Sequence, residues 1–337
     1  MRKCFLILLC VVTVAANAQQ RPHYTQYILN NYIINPALAG IENYTDIKIS
    51  HRHQWVGIQD APVTTYATIS SPINKKDDRT NITSFQMDGE NPRGKAYWES
   101  YTAAEPHGGW GMTLINDKTG PLTRFSLYGT YAYHLGISAK TSLSAGFSAG
   151  FTNNTINTSK LIFDNPIDPA VAGSGYLNRL RPDLSAGLWL YSDEYFAGLS
   201  VQQLLPQGLT FSNDTLKVKG NKAYPHIFLT GGWKFYLNEE FNFIPSAVLR
   251  YADPSPLGLD VNAKFMWRDI LWAGASYRLN DGFAGMLGIN VSNTFNIGYA
   301  YDYTNSALQT FTKGTHEVVL GFLIGNKYGD WCPRNMW

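Results

Sequence analysis

The chain has 337 residues, with 27 Lys+Arg against 25 Asp+Glu and a formal net charge of +2. Only 15% of its residues are charged, against roughly 25% in a soluble domain, while Tyr (21), Phe (17) and Trp (9) are abundant. So balanced a charge argues against a nucleic-acid binder. Low charge with a mean hydropathy of -0.19 fits a membrane β-barrel, with an apolar outer face, a polar lumen and aromatic rims.

Arg2 and Lys3, the apolar run 4–15 and Ala16-Asn17-Ala18 have the three-part pattern of a secretory signal peptide over 1–18. The run is too short to cross a membrane as a helix, and nothing after residue 18 approaches the ~20 apolar residues that a spanning helix needs. Only Cys332 remains beyond the signal, so no internal disulfide is available.

Segment 19–42 comes next. Tyr24, Gln26, Tyr27, Asn30, Asn35 and Pro36 mix aromatics, amides and small residues without strand alternation. Such side chains bury area while satisfying their polar atoms. They predict a plug or strap in the lumen or at a rim of the barrel, with Arg52, Gln54 and Trp55 holding it near that rim. A flexible N-terminal arm is the plainer alternative.

Period-2 alternation then predicts a barrel over 43–324. In 45–55, Ile47, Ile49, His51, His53 and Trp55 share one face, and Asp46, Lys48, Ser50, Arg52 and Gln54 the other. A second strand covers 64–73. The polar stretch 74–107 interrupts the pattern and predicts a long periplasmic insertion, either a candidate contact surface or a disordered segment. Strands resume at 108–116 and 122–134, around a turn over 116–121. Segment 141–152 alternates most cleanly, with Leu143, Ala145, Phe147, Ala149 and Phe151 against Ser142, Ser144, Gly146, Ser148 and Gly150.

A long loop is expected over 153–181, then strands at 184–190 and 195–201, and another loop over 202–221. Strands at 224–237, 241–251, 257–267, 270–277, 283–291, 295–303 and 315–324 follow, before a polar tail over 325–337. The fold class is therefore all-β: a transmembrane antiparallel β-barrel of about 14 strands, the even number of a bacterial single-chain barrel. With the N-terminus in the periplasm, most periplasmic links are short turns and the long links face outward.

No motif carries chemistry. His51 and His53 could begin a metal site, but no further ligand follows at a recognisable spacing, and rim or plug contacts suit them better. No Ser stands out as a nucleophile beside His134, His226 or His316. No phosphate-binding pattern is present, and Gly109-Trp110-Gly111 reads as close packing in a strand. Catalytic residues, cofactor and metal are all expected to be absent. Lumen charge is thin, limited to Asp46, Lys48, Arg52, Arg124, Arg250 and Lys264, with no concentrated eyelet.

These residues carry a resemblance. Tyr24-Thr-Gln-Tyr27, Ile34-Asn-Pro-Ala-Leu-Ala-Gly40, Arg52-His-Gln-Trp-Val-Gly57 and Ala61-Pro-Val-Thr64 resemble the N-terminal signature of the PorP/SprF family. Weaker matches follow in order, at Asn116-Asp-Lys with Gly120-Pro121, at 195–201, at His226 with Thr230-Gly-Gly-Trp233, at Pro245-Ser246 and at Cys332-Pro-Arg. The resemblance implies a non-enzymatic outer-membrane barrel of the type IX secretion system and gliding machinery. It would dock secreted adhesin-like proteins with a type B C-terminal sorting domain, or link the periplasmic secretion ring or peptidoglycan-associated components to the outer membrane. Its implied partners are outer-membrane lipid, such cargo and the ring, with no nucleic acid. An outer-membrane channel or transporter for small solutes is the alternative.

Overall fold

Strand alternation sorts side chains to two faces, and here one face closes around the chain's own N-terminal segment. The computed structural model describes residues 24–75, 101–160, 176–205 and 224–326, apart from 254, 269, 280 and 306. The expected signal peptide, most of the 74–107 insertion and the end of the tail with Cys332 lie outside the described residues.

The strands are β1 (Thr45–His53), β2 (Val63–Ile73), β3 (His107–Thr119), β4 (Leu122–Gly136), β5 (Ser142–Asn157), β6 (Tyr176–Tyr191), β7 (Tyr195–Gln202), β8 (His226–Trp233), β9 (Phe235–Tyr236), β10 (Phe241–Tyr251), β11 (Gly258–Trp267), β12 (Leu271–Arg278), β13 (Gly282–Ser292), β14 (Phe295–Thr304) and β15 (Thr315–Ile324). Neighbours along the sheet pair antiparallel, β8 and β9 both pair with β10, and β1 pairs with β15 as well as β2. Since β8 and β9 form one stave, the wall is a closed barrel of fourteen staves, as expected. Closure leaves no edge strand with unpaired backbone groups.

Along β1, Lys48, Ser50 and Arg52 point inward and Ile49, His51 and His53 outward. Along β5, Ser142, Ser144, Ser148 and Thr152 are buried while Ala145, Phe147, Ala149 and Phe151 are exposed. Met112, Leu188, Leu229, Phe265 and Leu287 continue the exposed apolar belt. Tyr277, Phe283 and Tyr303 rim one end, Trp233, Phe241 and Trp267 the other. This is the lipid-facing pattern of an outer-membrane barrel. One end carries the short links 137–141, 192–194, 268–270 and 293–294; the other carries the long ones at 158–175, 203–225 and 305–314. Short turns mark the periplasmic side, so the Arg52 end faces outward.

Four readings need correction. Residues 153–157 and 176–181 are not loop: they extend β5 and β6, with Asn157 opposite Tyr176 and Asn153 opposite Leu180. The turn at 116–121 contracts to Gly120 and Pro121, because β3 stays paired with β4 as far as Thr119 opposite Leu122. The strand at 224–237 is broken at Lys234. His107 is no part of the insertion but opens β3.

Residues 25–42 are all buried within the barrel. They form three short 3-10 turns, Gln26–Leu29, Asn31–Ile33 and Pro36–Leu38. The segment runs from the outer end, where Thr25 meets Arg52, to the periplasmic end, where Lys75 Nζ donates to the Ile41 carbonyl at 2.7 Å. A left-handed Gly40 (φ 74°) then turns the chain toward β1.

Candidate functional site

The site is the contact between this inner segment and the wall. Strand geometry turns every second residue inward, and polar inward residues of β4, β5, β7 and β15 meet backbone groups of the segment, which short 3-10 turns leave open. Ser144 Oγ donates to the Ala37 carbonyl (2.8 Å) and Ser200 Oγ to that of Ile34 (2.6 Å). Gln202 Nε2 donates to the Ile33 and Ile34 carbonyls at 3.1 and 3.0 Å. His134 Nε2 lies 2.8 Å from the Ala39 carbonyl, and its ring stacks on His107 with centroids 4.6 Å apart.

The segment's own side chains answer in kind. Gln26 Nε2 donates to the Glu317 carbonyl (2.7 Å), Asn30 Nδ2 to Thr68 Oγ1 (2.9 Å) and the Tyr32 hydroxyl to Thr130 Oγ1 (2.9 Å). Asn262 Nδ2 donates to the Tyr27 hydroxyl at 2.5 Å. Tyr24 sits edge-on to Tyr66 with ring centroids 5.1 Å apart.

Asn35 does two jobs. Its Oδ1 accepts from the Ala37 N–H at 3.0 Å, capping the third turn, which Pro36 opens. Its Nδ2 donates to the Leu188 carbonyl at 3.0 Å. Asn35→Ala should therefore destabilise the folded barrel by roughly 1–3 kcal/mol, read as a lower unfolding midpoint in a gel-shift assay of heat modifiability.

Glycines in the wall make room for the segment. A Cβ at Gly146 would lie 2.5 Å from the Ala37 Cα, and one at Gly187 would run into Asn35 and Pro36. Gly109 faces the Ala39 carbonyl, Gly111 the Tyr32 hydroxyl and Gly298 the Gln26 and Leu29 side chains. Each approach is closer than a side chain permits.

The outer end gathers charge. Arg52, 2% exposed, donates to Glu317 Oε2 (2.9 Å), Asp302 Oδ2 (2.7 Å) and Thr25 Oγ1 (2.6 Å). Thr25 closes the ring by donating its N–H to Glu317 and its hydroxyl to Asp302. Beside it, Arg278 pairs with Asp281 at 2.7 Å and with Asp260 at 3.4 Å, and Arg250 with Asp260 at 2.7 Å. The reading of thin lumen charge without a concentrated cluster is thus corrected. Arg250, Asp260 and Arg278 come from the sequential strands β10, β11 and β12, but Arg52 of β1 reaches Asp302 and Glu317 of β14 and β15 only because the barrel closes between β1 and β15.

Of the sequence candidates, Tyr24, Gln26, Tyr27, Asn30, Asn35 and Pro36 lie in the inner segment, and Arg52 holds its start. Gln54 and Trp55 do not touch it by hydrogen bonds that the structure shows: Gln54 N–H donates to Pro62, and Trp55 N–H to Thr315 Oγ1. Trp55 was placed with the outward face of β1, but β1 ends at His53, and a left-handed backbone (φ 50°) brings Trp55 to line an outer cavity with Gln54. His51 and His53 are not plug contacts: they are exposed on the outer wall, with His51 Nδ1 2.9 Å from Thr65 Oγ1. Sequence reasoning missed Thr25, Glu317, Asp302 and Arg278. A signal for Glu317 existed, since a carboxylate on the inward face opens the apolar run of β15.

No curated protein sequence is significantly similar to the chain. Among solved structures, the CymD monoaromatic hydrocarbon channel is 10% identical over 90% of this chain and 93% of its own, with a TM-score of 0.48. The Ralstonia pickettii toluene transporter TbuX is 9% identical over 88% and 92%, at 0.46. The Acinetobacter baumannii outer membrane protein Omp33 is 8% identical over 85% and 100%, at 0.44. The family model described as type IX secretion system membrane protein PorP/SprF matches residues 16–322. The chain is an outer-membrane β-barrel and belongs to the PorP/SprF family of type IX secretion system membrane proteins.

Proposed function

We propose that this barrel is a closed, non-enzymatic docking platform of the type IX secretion system. It holds secreted adhesin-like surface proteins, those with a type B C-terminal sorting domain, at the outer membrane, or links the periplasmic ring to that membrane. The observation that carries the reading is the occupied lumen. Residues 25–42 are buried from one end of the barrel to the other, and serine, glutamine and histidine side chains of the wall bind the segment's backbone carbonyls. A wall that spends its polar groups on its own chain is suited to presenting surfaces rather than to passing solutes. The periplasmic end, with the 74–106 insertion, is the proposed face toward the ring, and the outer end the proposed face toward cargo.

The test is a quantitative secretome and surface proteome of a strain lacking the gene. Loss of one large surface protein is the result expected of a cargo-dedicated barrel, and loss of every type IX substrate that of a core component. An unchanged proteome sinks the docking reading and leaves the small-solute channel. Purified protein in planar bilayers gives the companion result: the filled lumen is expected to show no steady conductance, and a steady open channel would favour transport.

A further inference from the structure

Ionisable side chains are costly on the lipid-facing wall of a barrel and are tolerated near its two interfaces, so where they stand is informative. Among the described strand residues, the outward-facing Lys, Arg, His, Asp and Glu are limited to His51 and His53 on β1, His316 on β15 and Lys118 on β3. All lie toward the outer ends of their strands, and those strands belong to one arc, in the order β15, β1, β2, β3. Register lines them up: Tyr301, His316, His53, Val63 and Lys118 form one row across adjoining staves. His51 stands one outward step below, opposite Thr65. Elsewhere the outer rim is aromatic, with Tyr251, Tyr277 and Phe283.

The row stands at headgroup height. β1 has 9 residues and β15 has 10, and a barrel strand crosses the membrane in about 9–11. His53 ends β1 and His316 is the second residue of β15, so both reach the outer boundary of the bilayer. Strand spacing sets them side by side, with the Lys118 backbone roughly 10 Å from that of His53, a gap that the long lysine stem narrows. Hydroxyls of the wall hold two of the rings. The Tyr299 hydroxyl lies 2.6 Å from His316 Nδ1, and Thr65 Oγ1 lies 2.9 Å from His51 Nδ1. A hydroxyl that donates to Nδ1 leaves Nε2–H as the donor of the ring. Acidic neighbours do not neutralise the row. Asp302 and Glu317 point inward to Arg52, Asp117 points inward and accepts from Thr64, and Asp60 of the β1–β2 loop pairs with Lys160.

Imidazole N–H groups beside an ammonium, with no outward carboxylate, select an anion. Directly below them the wall is apolar, with Ile49, Val318 and Met112 exposed, which suits an acyl chain. A lipid with a phosphate in its headgroup carries both features, and a phosphate accepts several charge-assisted bonds at once. We propose that this arc binds the phosphorylated headgroup of an outer-leaflet lipid, with His53, His316 and Lys118 on the phosphate and His51 beneath them. The site straddles the seam where the barrel closes. Arg52 and Glu317, the chain neighbours of His53 and His316, tie β1 to β15 on the inner face, and the lipid ties the same two strands on the outer face. The site is independent of the docking function proposed above.

The test titrates the purified full chain in mild detergent with three probes: lipid A carrying its phosphates, the same lipid dephosphorylated, and inorganic phosphate. Native mass spectrometry reads the lipid held by each barrel. The phosphorylated lipid is expected to bind at one per barrel and the dephosphorylated form about tenfold or more weakly. His53→Ala and Lys118→Gln should each weaken binding by about tenfold, the worth of one bond to a charged group, while Tyr251→Phe, across the barrel, should leave it unchanged. Heat modifiability confirms that each variant is folded. The phosphorylated lipid should also raise the unfolding midpoint of the unaltered barrel but not that of the double variant, as a clamp on the seam requires. Equal binding of the two lipids, or binding unchanged in the folded double variant, overturns the site. Displacement of the lipid by an equal concentration of inorganic phosphate means an anion site without lipid, and overturns it too.

Discussion

Replacing Arg52 with alanine is expected to destabilise the barrel more than any other single truncation at the outer end, by roughly 3–5 kcal/mol. Arg52 is 2% exposed and Glu317 is 1% exposed. The guanidinium bonds Glu317, Asp302 and Thr25 at once. Without it, Glu317 loses its ion-pair partner, Asp302 keeps only the longer ion contact to Arg278, and Thr25 loses the donor that ties the start of the inner segment to β1. Arg278 is a poor substitute: its contacts to Asp302 (3.8 Å) and to Thr25 Oγ1 (3.4 Å) are long, and it is already engaged with Asp281 at 2.7 Å. A lysine at 52 recovers only part of the loss, because a point charge cannot fork to three acceptors. The check is a double-mutant cycle with Glu317→Gln, scored by the unfolding midpoint. Coupling of roughly 0.5–3 kcal/mol is expected for such a pair, with the double variant less damaged than the two single losses added together. Strict additivity would mean that the two side chains act independently, contrary to the geometry.

That cluster also shows where the sequence stops being legible. The strands could be read because lipid enforces period 2 on every stave: Phe147 and Phe151 out, Ser144 and Ser148 in. Where β5 and β6 leave the bilayer, lipid no longer demands apolar residues outside. Asn153, Thr155 and Asn178 then carry no alternation, although the hydrogen-bond ladder continues, and the stretch reads as loop. The charge cluster fails for a different reason. Arg52 and Glu317 lie 265 residues apart, and only the closing pair β1–β15 makes them neighbours. The inner segment was conspicuous because Tyr27, Asn30 and Asn35 fit no strand. Its path could not be read, since the features that fix it are glycines and serines spread over β3, β5, β6, β7 and β14. Each of these alone is an ordinary strand residue. Trp55 was misplaced by extending the period of β1 two residues past its end.

Those glycines give the second large effect. Gly146→Val should expel the inner segment from the lumen while leaving the barrel closed. The new side chain meets backbone, with the Ala37 Cα, Ala37 N and Pro36 C all 2.5 Å from its Cβ, so no side-chain rotation relieves the clash. The wall cannot yield either, because Gly146 is locked in register between Ala132 and Gly187. Valine is itself a favourable strand residue, so the ladder has no reason to break. The segment gives way, with a cost of about 1–3 kcal/mol for overpacking and the loss of bonds such as Ser144 to the Ala37 carbonyl. Water then enters a lumen lined by Ser144, Ser200, Gln202 and His134. In planar bilayers the variant is expected to show stepwise conductance where the unaltered protein shows none, and a protease added to the purified protein should cut within 24–42. Gly285→Val is the control, since a Cβ there has nothing within 4 Å and leaves the segment in place. If Gly146→Val stays closed and protected, the close approach is not what holds the segment. The polar bonds and the Arg52 cluster then suffice to keep it, and the lumen wall must deform by the width of a side chain.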